Sequence, residues 1–217
     1  EDAQTKITEN PNNSDIQRNE FGDITAVRTT FFNEEKTKVK GLDINFDYKK
    51  ILSDQTTLDL GINVTHLFDY LTPEHEEIGH DDEHTTHMVN RVGKFNYNAH
   101  THSLPRLRLN AFFGLTHNGI RYSVNSRYLD GYTNLRPLPA AAISSGYENK
   151  VDSFLVFDIG ASKTFQIDNS ELKLGLHIMN AFDQAAPLLY DSPDFSFDTR
   201  LHDPRGRLIN LSLDYQF

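Results

Sequence analysis

The feature that most constrains this chain is a period-two alternation of apolar and polar residues, which recurs along most of its length. In the last segment, LINLSLDYQF, the apolar residues Ile209, Leu211 and Leu213 alternate with polar ones. Because successive side chains of a strand point to opposite faces, this alternation predicts strands with one apolar face. The same pattern occurs in ITAVRTTFF, GLDINFDYK, TLDLGINVTHLFDY, RLRLNAFFGL, IRYSVNSRY, FLVFDIGASKTF and ELKLGLHIMN. We therefore predict an all-β, antiparallel fold of about eight strands, with no convincing helix.

The connections between the predicted strands alternate in length. The links KKILSDQT, THNG and QIDNS are short, whereas the links at about 71–105, 131–152 and 191–206 are long. Short turns at one end and long loops at the other are typical of outer-membrane barrels. A soluble β-sandwich, which is the alternative, more often has short links at both ends.

The polar faces of the predicted strands also favour a membrane barrel. They carry charged residues such as Asp43, Asp59 and Arg108, which would be costly in a dry core but suit a water-filled lumen. The mean hydropathy of -0.55 agrees with this interpretation, because lipid-facing and lumen-facing residues average out in a barrel. His66 and Lys163 fall on the apolar side of their strands, so we expect a bulge or a membrane-boundary position there.

Composition argues against several classes of protein. The formal net charge of -10 disfavours a nucleic-acid partner, which would need a basic face. The absence of cysteine removes disulfides and thiolate metal sites, and no apolar run is long enough for a transmembrane helix. No serine and histidine pair as nucleophile and base and no glycine-rich phosphate loop occurs, so we do not expect an enzyme.

Two segments near the C-terminus resemble TonB-dependent outer-membrane receptors. The segment HDPRGRLINLSLDYQF resembles the closing strand of that family, and HIMNAFDQAAPLLYD (177–191) resembles its penultimate strand. The matching residues are Asp203, Pro204, Arg205, Gly206, Arg207 and Phe217 in the first, and Asn180, Ala181, Phe182 and Asp183 in the second. KVKGLDINFDYKK and SLPRLRLN resemble further strands of the family. The resemblance extends from about Ile24 to Phe217.

The resemblance implies a barrel of 22 strands, an N-terminal plug and a periplasmic segment that contacts the TonB–ExbB–ExbD system. With room for about eight strands and no recognisable plug, residues 1–217 are expected to be the C-terminal part of such a barrel. Its partners would be outer-membrane lipid and the missing plug and N-terminal strands. A C-terminal phenylalanine on the periplasmic side would make the long loops extracellular. The alternative is that the eight strands close as a small barrel.

The predicted loop 71–105 is rich in histidine and acidic residues. It contains the stretch EHEEIGHDDEHTTHM and six of the ten histidines of the chain: His75, His80, His84, His87, His100 and His102. Imidazole and carboxylate groups are good Zn²⁺ ligands, so we predict that these histidines bind metal. The spacing of residues 80, 84 and 87 suits a helical turn, and that of 100 and 102 suits one face of a strand. The alternative is a solvated loop with incidental histidines.

The resemblance extends to zinc-uptake receptors, which carry histidine- and acid-rich external loops. We therefore predict an importer of zinc, or of a zinc-bearing complex, without an organic cofactor. Alternatives are import of a metal chelate (siderophore, haem or cobalamin) or a self-closed barrel with a structural or adhesive role. Arginines on the lumen side could guide an anionic ligand, but pairing with Asp43, Asp47 and Asp59 is the favoured interpretation; they are Arg106, Arg108, Arg121 and Arg127.

Overall fold

The computed structural model describes residues 7, 11–12, 14–29, 36–77, 84–96, 102–190 and 196–217, with the backbone alone for 75–77 and 84–86. It divides into two compact units, Glu1–Lys36 and Thr37–Phe217. The first unit contains β1 (Ile16–Arg18) and β2 (Ile24–Val27), which pair in antiparallel fashion. The sequence pattern predicts residues 24–32 as the first of eight barrel strands. That prediction is wrong, because β2 pairs with β1 in a separate two-stranded sheet.

The second unit contains two sheets and one short helix, α1 (Ala140–Ser144). Its strands are β3 (Lys38–Ser53), β4 (Thr56–Glu77), β5 (His84–Asn90), β6 (Lys94–Asn96), β7 (His102–Leu104), β8 (Leu107–His117), β9 (Ile120–Leu129), β10 (Tyr132–Asn134), β11 (Lys150–Val151), β12 (Phe154–Ile167), β13 (Ser170–Met179) and β14 (Leu208–Gln216). The larger sheet has eight strands. Seven of them follow the order β14-β13-β12-β9-β8-β4-β3, which we call the main path, and the eighth, β5, pairs with β4 outside this order. The prediction of an all-β, antiparallel fold is confirmed.

The seven strands of the main path run up and down, so their connections fall at two ends of the sheet. Two-residue turns at 54–55, 118–119 and 168–169 lie at one end, here called the short-turn end. The connections 78–106, 130–153 and 180–207 lie at the other, the long-connection end. At the turn between β8 and β9, Asn118 and Gly119 have φ values of 49° and 73°. Positive φ at both positions is what a tight hairpin turn requires, and Asn-Gly adopts it most readily.

Strand register separates the main sheet into an apolar face and a polar face. One apolar row crosses all seven strands through Tyr48, Leu60, Phe113, Val124, Ile159, Ile178 and Ile209. The neighbouring polar row runs through Lys49, Asp59, Gly114, Ser123, Gly160, His177 and Asn210. The apolar face is open to its surroundings, since Phe113 is 43% and Ile209 67% exposed. Seven strands therefore form one wall with an uncovered apolar surface.

Both edges of this wall carry unpaired backbone. Among the described residues, β3 pairs with β4 alone and β14 with β13 alone. The sheet is therefore open, and the described strands do not close into a small barrel. Apolar side chains are strongly exposed at both edges, with Ile51 of β3 at 73% and Leu211 of β14 at 79%.

A β-bulge ends the apolar face at the long-connection end of β4. Lys40 pairs with Asp69 and Gly41 with Leu67, so Phe68 is an extra residue. Asp69 then lies within 3.8 Å of the Lys40 ammonium and accepts a hydrogen bond from Asn90 at 2.8 Å. His66 precedes this bulge and pairs with Leu107, the first residue of β8. It therefore lies at the boundary of the apolar face, as predicted for a polar residue on that side.

Lys163, the other exception to the apolar pattern, lies towards the short-turn end. It pairs with Ile120, the first residue after the 118–119 turn. Its ammonium lies 4.9 Å from the centroid of the Phe165 ring. A long side chain at this position can carry its charge beyond the apolar face while its methylenes remain on it.

The smaller sheet lies within the long connections and has the strand order β11-β10-β6-β7. β10 pairs with β6 in parallel fashion, and the other pairs are antiparallel. It provides a small apolar core of Phe95, Tyr132, Val151 and Leu189, against which Leu201 packs. The long connections are therefore packed structure with their own interior.

Candidate functional site

Three of the six predicted metal-binding histidines lie on one hairpin. The end of β4 pairs with β5, with Glu74 opposite His87, His75 opposite Thr86 and Glu77 opposite His84. We call residues 71–77 and 84–90 the histidine hairpin. The β8 partner of β4 ends its pairing at His66, so β4 continues for residues 67–77 past that point. At a rise of about 3.3 Å per residue, this extension is roughly 36 Å long.

Within the hairpin, His87 and Arg91 share one carboxylate. The His87 Nε2 lies 3.7 Å from Glu74 Oε2, and Arg91 Nη2 lies 3.2 Å from Glu74 Oε1. Arg91 is only 8% exposed and also donates from Nε to the Thr72 hydroxyl at 2.9 Å. The carboxylate of Glu74 is thus oriented towards the one described imidazole of the hairpin by a buried guanidinium.

The helical-turn arrangement expected for the histidines is wrong where the structure describes them. Residues 84–90 form a strand, so His84 and His87, three positions apart, belong to opposite faces of β5. Residues 71–105 contain the end of β4 and the strands β5, β6 and β7, where the sequence predicts a loop.

The structure describes one further predicted histidine, His102, and places it in another pair of strands. His102 begins β7 with a φ of 47°, and its carbonyl accepts a hydrogen bond from Asn96 at 2.8 Å. β7 pairs with β6 and not with the histidine hairpin. His80 and His100 lie outside the described residues. Within the described part of the chain, no group of three or more histidine, aspartate or glutamate side chains is arranged to hold a metal ion.

A buried carboxylate joins the long connections to the smaller sheet. Asp198 is 4% exposed and accepts hydrogen bonds from the Ser103 hydroxyl, from the Tyr132 hydroxyl at 3.1 Å and from the Arg200 amide at 3.0 Å. Burial, followed by the Asp198 charge, raises the pKa of Tyr132 well above its usual value. The tyrosine therefore remains a neutral donor, and the carboxylate holds β7, β10 and residues 196–202 together.

His202 lies next to this carboxylate but is not bonded through its ring. Its ring packs edge-on against Phe154 with centroids 5.0 Å apart, and neither ring nitrogen has a hydrogen-bond partner among the residues that the structure describes. Burial lowers the pKa of His202, and the nearby Asp198 charge opposes that shift. The sequence gives no signal for this network, because its members lie in turns and three-residue strands that are too short to show a period.

The two segments that carry the family resemblance are in contact. Asp183 accepts a hydrogen bond from the Arg207 amide at 2.8 Å, and Arg207 Nη1 donates to the Ala181 carbonyl at 3.4 Å. Asn180 adds a second tie, since its amide donates to Asp158 of β12 at 2.8 Å. The beginning of the connection 180–207 is therefore bonded to β12, and its end is bonded to its beginning.

A cleft opens on the polar face at the long-connection end, between the sheet and residues 200–208. Its volume is about 540 Å³. The polar and charged side chains that line it include Arg108, Asn110, Arg127, Asn180, Arg200, His202, Asp203 and Arg205. Leu129, Phe154, Val156 and Leu201 supply apolar lining.

Ion pairs on the polar face agree in part with the predicted pairing of arginines and aspartates. Arg121 Nη1 lies 3.1 Å from Asp59, as the sequence suggests, whereas Arg127 pairs at 3.4 Å with Asp158, which is outside the predicted set. Asp43 instead accepts a hydrogen bond from the Thr65 hydroxyl at 2.6 Å. The guanidinium of Arg108 makes no ion pair with a described residue.

In comparisons with protein-family models, curated proteins and solved structures, no match was found. Among the described residues, no helix has the length and apolar character needed to cross a membrane.

Proposed function

We propose that this chain is a wall segment of an outer-membrane TonB-dependent receptor that imports a scarce metal, zinc being the best candidate. The observation that carries the proposal is the apolar face that continues across all seven strands while the opposite face is charged and polar. A lipid-facing surface and an aqueous lumen are the two environments that such a wall needs. Transport of this kind involves no bond chemistry by the chain.

Strand length supports the same proposal. A tilted strand needs about 9–11 residues to cross the apolar core of a bilayer. β8, β9 and β13 have 11, 10 and 10 residues, and β14 has 9. The short-turn end would face the periplasm and the long-connection end the outside, where a receptor meets its ligand.

The open edges support a larger assembly. Unpaired N–H and C=O groups of an edge strand are costly in lipid, so β3 and β14 would need partner strands inside a membrane. Further strands of the same receptor would supply them and close the barrel, and its plug would fill the lumen and contact the TonB–ExbB–ExbD system.

The histidine hairpin would capture the metal. It extends beyond the wall at the end proposed to face outwards, and His75, His84 and His87 lie within its two paired strands. Glu74, already within 3.7 Å of His87, would add a carboxylate to the imidazole ligands. The imidazoles of His75, His84, His80, His100 and His102 would complete the coordination. The side chains of His75 and His84 lie outside the described part of the hairpin.

Zinc titration calorimetry of the full chain in detergent micelles tests the capture role. A triple variant, His75→Ala, His84→Ala and His87→Ala, is expected to weaken zinc binding at least tenfold, because each imidazole is a candidate ligand. His117→Ala removes a histidine from the short-turn end and serves as the control. Equal zinc affinity of the triple variant and the unmodified chain would contradict the proposal.

A further inference from the structure

The cleft on the polar face differs in charge from the rest of the chain. Four guanidinium groups line it, those of Arg108, Arg127, Arg200 and Arg205. Among the described residues, two carboxylates pair with them: Asp203 holds Arg205 through Nη2 at 2.6 Å, and Asp158 lies 3.4 Å from Arg127. Two positive charges are left over, in a chain whose formal net charge is -10.

The two remaining guanidinium groups, of Arg108 and Arg200, have no carboxylate partner among the described residues. Arg108 is half-buried on the polar face, where it pairs with Thr65 of β4 on one side and with Leu129 of β9 on the other. Arg200 joins it from the loop, where only its backbone amide bonds to Asp198. A half-buried cation without a counter-charge is unfavourable, and an incoming anion would remove that cost.

His202 gives a second, independent sign of a ligand. It lines the same cleft at 6% exposure, and both of its ring nitrogens are buried without a hydrogen-bond partner in the described part of the chain. Buried polar atoms are nearly always hydrogen-bonded, so an imidazole with two unused nitrogens calls for a partner from the cleft. The N–H of the ring can donate to an oxyanion.

We propose that this cleft binds a small organic anion that carries two or more carboxylate or phosphate groups. Arg108 and Arg200 bind its oxygens, each through the paired N–H groups of its guanidinium, and His202 donates one further hydrogen bond. The volume of about 540 Å³ is that of a small-molecule site. Leu129, Phe154 and Val156 supply an apolar surface for the carbon skeleton of the anion.

The test is calorimetric titration of the full chain in detergent micelles, with citrate and inorganic pyrophosphate as probes and EDTA present to exclude bound metal. We expect one-site binding of at least one probe, and the tighter of the two identifies the preferred oxyanion. Affinity should fall as salt is raised, because the interaction is between charges. Failure of both probes to bind below about 10 mM would overturn the proposal.

Matched variants locate the site. Arg108→Gln and Arg200→Gln are each expected to weaken binding about tenfold, because each removes a charge-assisted contact. Neither side chain makes a described ion pair, and Arg200 is on an exposed loop, so Arg200→Gln tests the site even if Arg108→Gln misfolds. Arg121→Gln removes the same charge from the same face at the short-turn end and should bind as the unmodified chain does. If Arg121→Gln weakened binding equally, the anion would be attracted by the overall electrostatic field of the protein and not bound in this cleft. That result would overturn the assignment.

Discussion

Asp183 Oδ1 accepts a hydrogen bond from the Arg207 amide at 2.8 Å across 24 residues of chain. This bond fastens the end of the long connection to its beginning, immediately before β14 starts at Leu208. Asp183 itself has a φ of 56°, a conformation that aspartate and asparagine tolerate better than most residues. Aspartate therefore suits this position in two ways: its carboxylate accepts the hydrogen bond, and its backbone tolerates the positive φ.

Replacement of Asp183 separates these two contributions. Asp183→Ala should lower the free energy of unfolding by about 1–3 kcal/mol, because it loses the acceptor and strains the backbone. Asp183→Asn keeps an oxygen and a tolerated backbone, so it should cost less than about 1 kcal/mol. Urea unfolding in detergent measures both. If both variants lowered the free energy of unfolding equally, the loss would not come from the hydrogen-bond acceptor or from the backbone strain.

Gly206 faces the same carboxylate and should not accept a side chain. Its φ is 68°, and a Cβ there would lie 2.7 Å from Asp183 Oδ1. Gly206→Ala is expected to cost about 2–4 kcal/mol, from left-handed strain together with displacement of Asp183. Gly93→Ala is the control, because Gly93 has a φ of 73° with nothing within 4 Å of the added methyl. The control should show the cost of backbone strain alone, about 1–2 kcal/mol. If Gly206→Ala cost no more than that, the clash between the added Cβ and Asp183 would be refuted.

Tyr132→Phe should destabilise the long connections. The substitution removes one donor from the buried Asp198 carboxylate, which should cost about 1–3 kcal/mol. Because Ser103 donates to the same carboxylate, the double variant with Ser103→Ala should deviate from additivity by more than about 0.5 kcal/mol. Chemical denaturation of the two single variants and the double variant measures this coupling. Strict additivity would show that the two hydroxyls do not share one acceptor.

His202 should make stability sensitive to mild acid. Its folded-state pKa lies below the ordinary 6.5, so its contribution is complete above that pH. As pH falls below 6.5 the unfolded chain takes up a proton that the buried ring resists, and the free energy of unfolding decreases. Melting temperatures between pH 7.5 and pH 5 should therefore fall less in His202→Leu than in the unmodified chain. The same slope in His202→Leu as in the unmodified chain would exclude His202 as the origin of the pH dependence.

Two neighbouring residues of β9 test which face meets lipid. Val124 pairs with Phe113 and Ile159 on the apolar face, and Asn125 pairs with Phe112 and Asp158 on the polar face. If the apolar face meets lipid, Val124→Arg should cost about 2–4 kcal/mol of folding free energy in bilayers. Asn125→Arg adds the same charge on the lumen side and should change stability by less than about 1 kcal/mol. The reverse order would assign the lipid to the other face.

The amino-acid alternation by itself determined the strand class, the faces and the location of the turns. Seven of the eight segments that alternate in sequence form the main path of the sheet, because a strand with one apolar and one polar face alternates with a period of two. The Asn-Gly pair between β8 and β9 is likewise visible in the sequence, since its backbone preference is local. The family resemblance stays a prediction, and so does the zinc function, which the zinc titration tests.

The tertiary structure decided what lies between those strands. The sequence suggests a loop at 71–105, yet residues 84–90 form a strand because β4 continues far enough to pair with them. The buried Asp198 network and the arginine-lined cleft depend on contacts between residues distant in the chain, which leave no periodic trace. Local preference can specify a strand or a turn. Which strands pair with each other, and which carboxylates and guanidinium groups come together, is specified only by the folded chain.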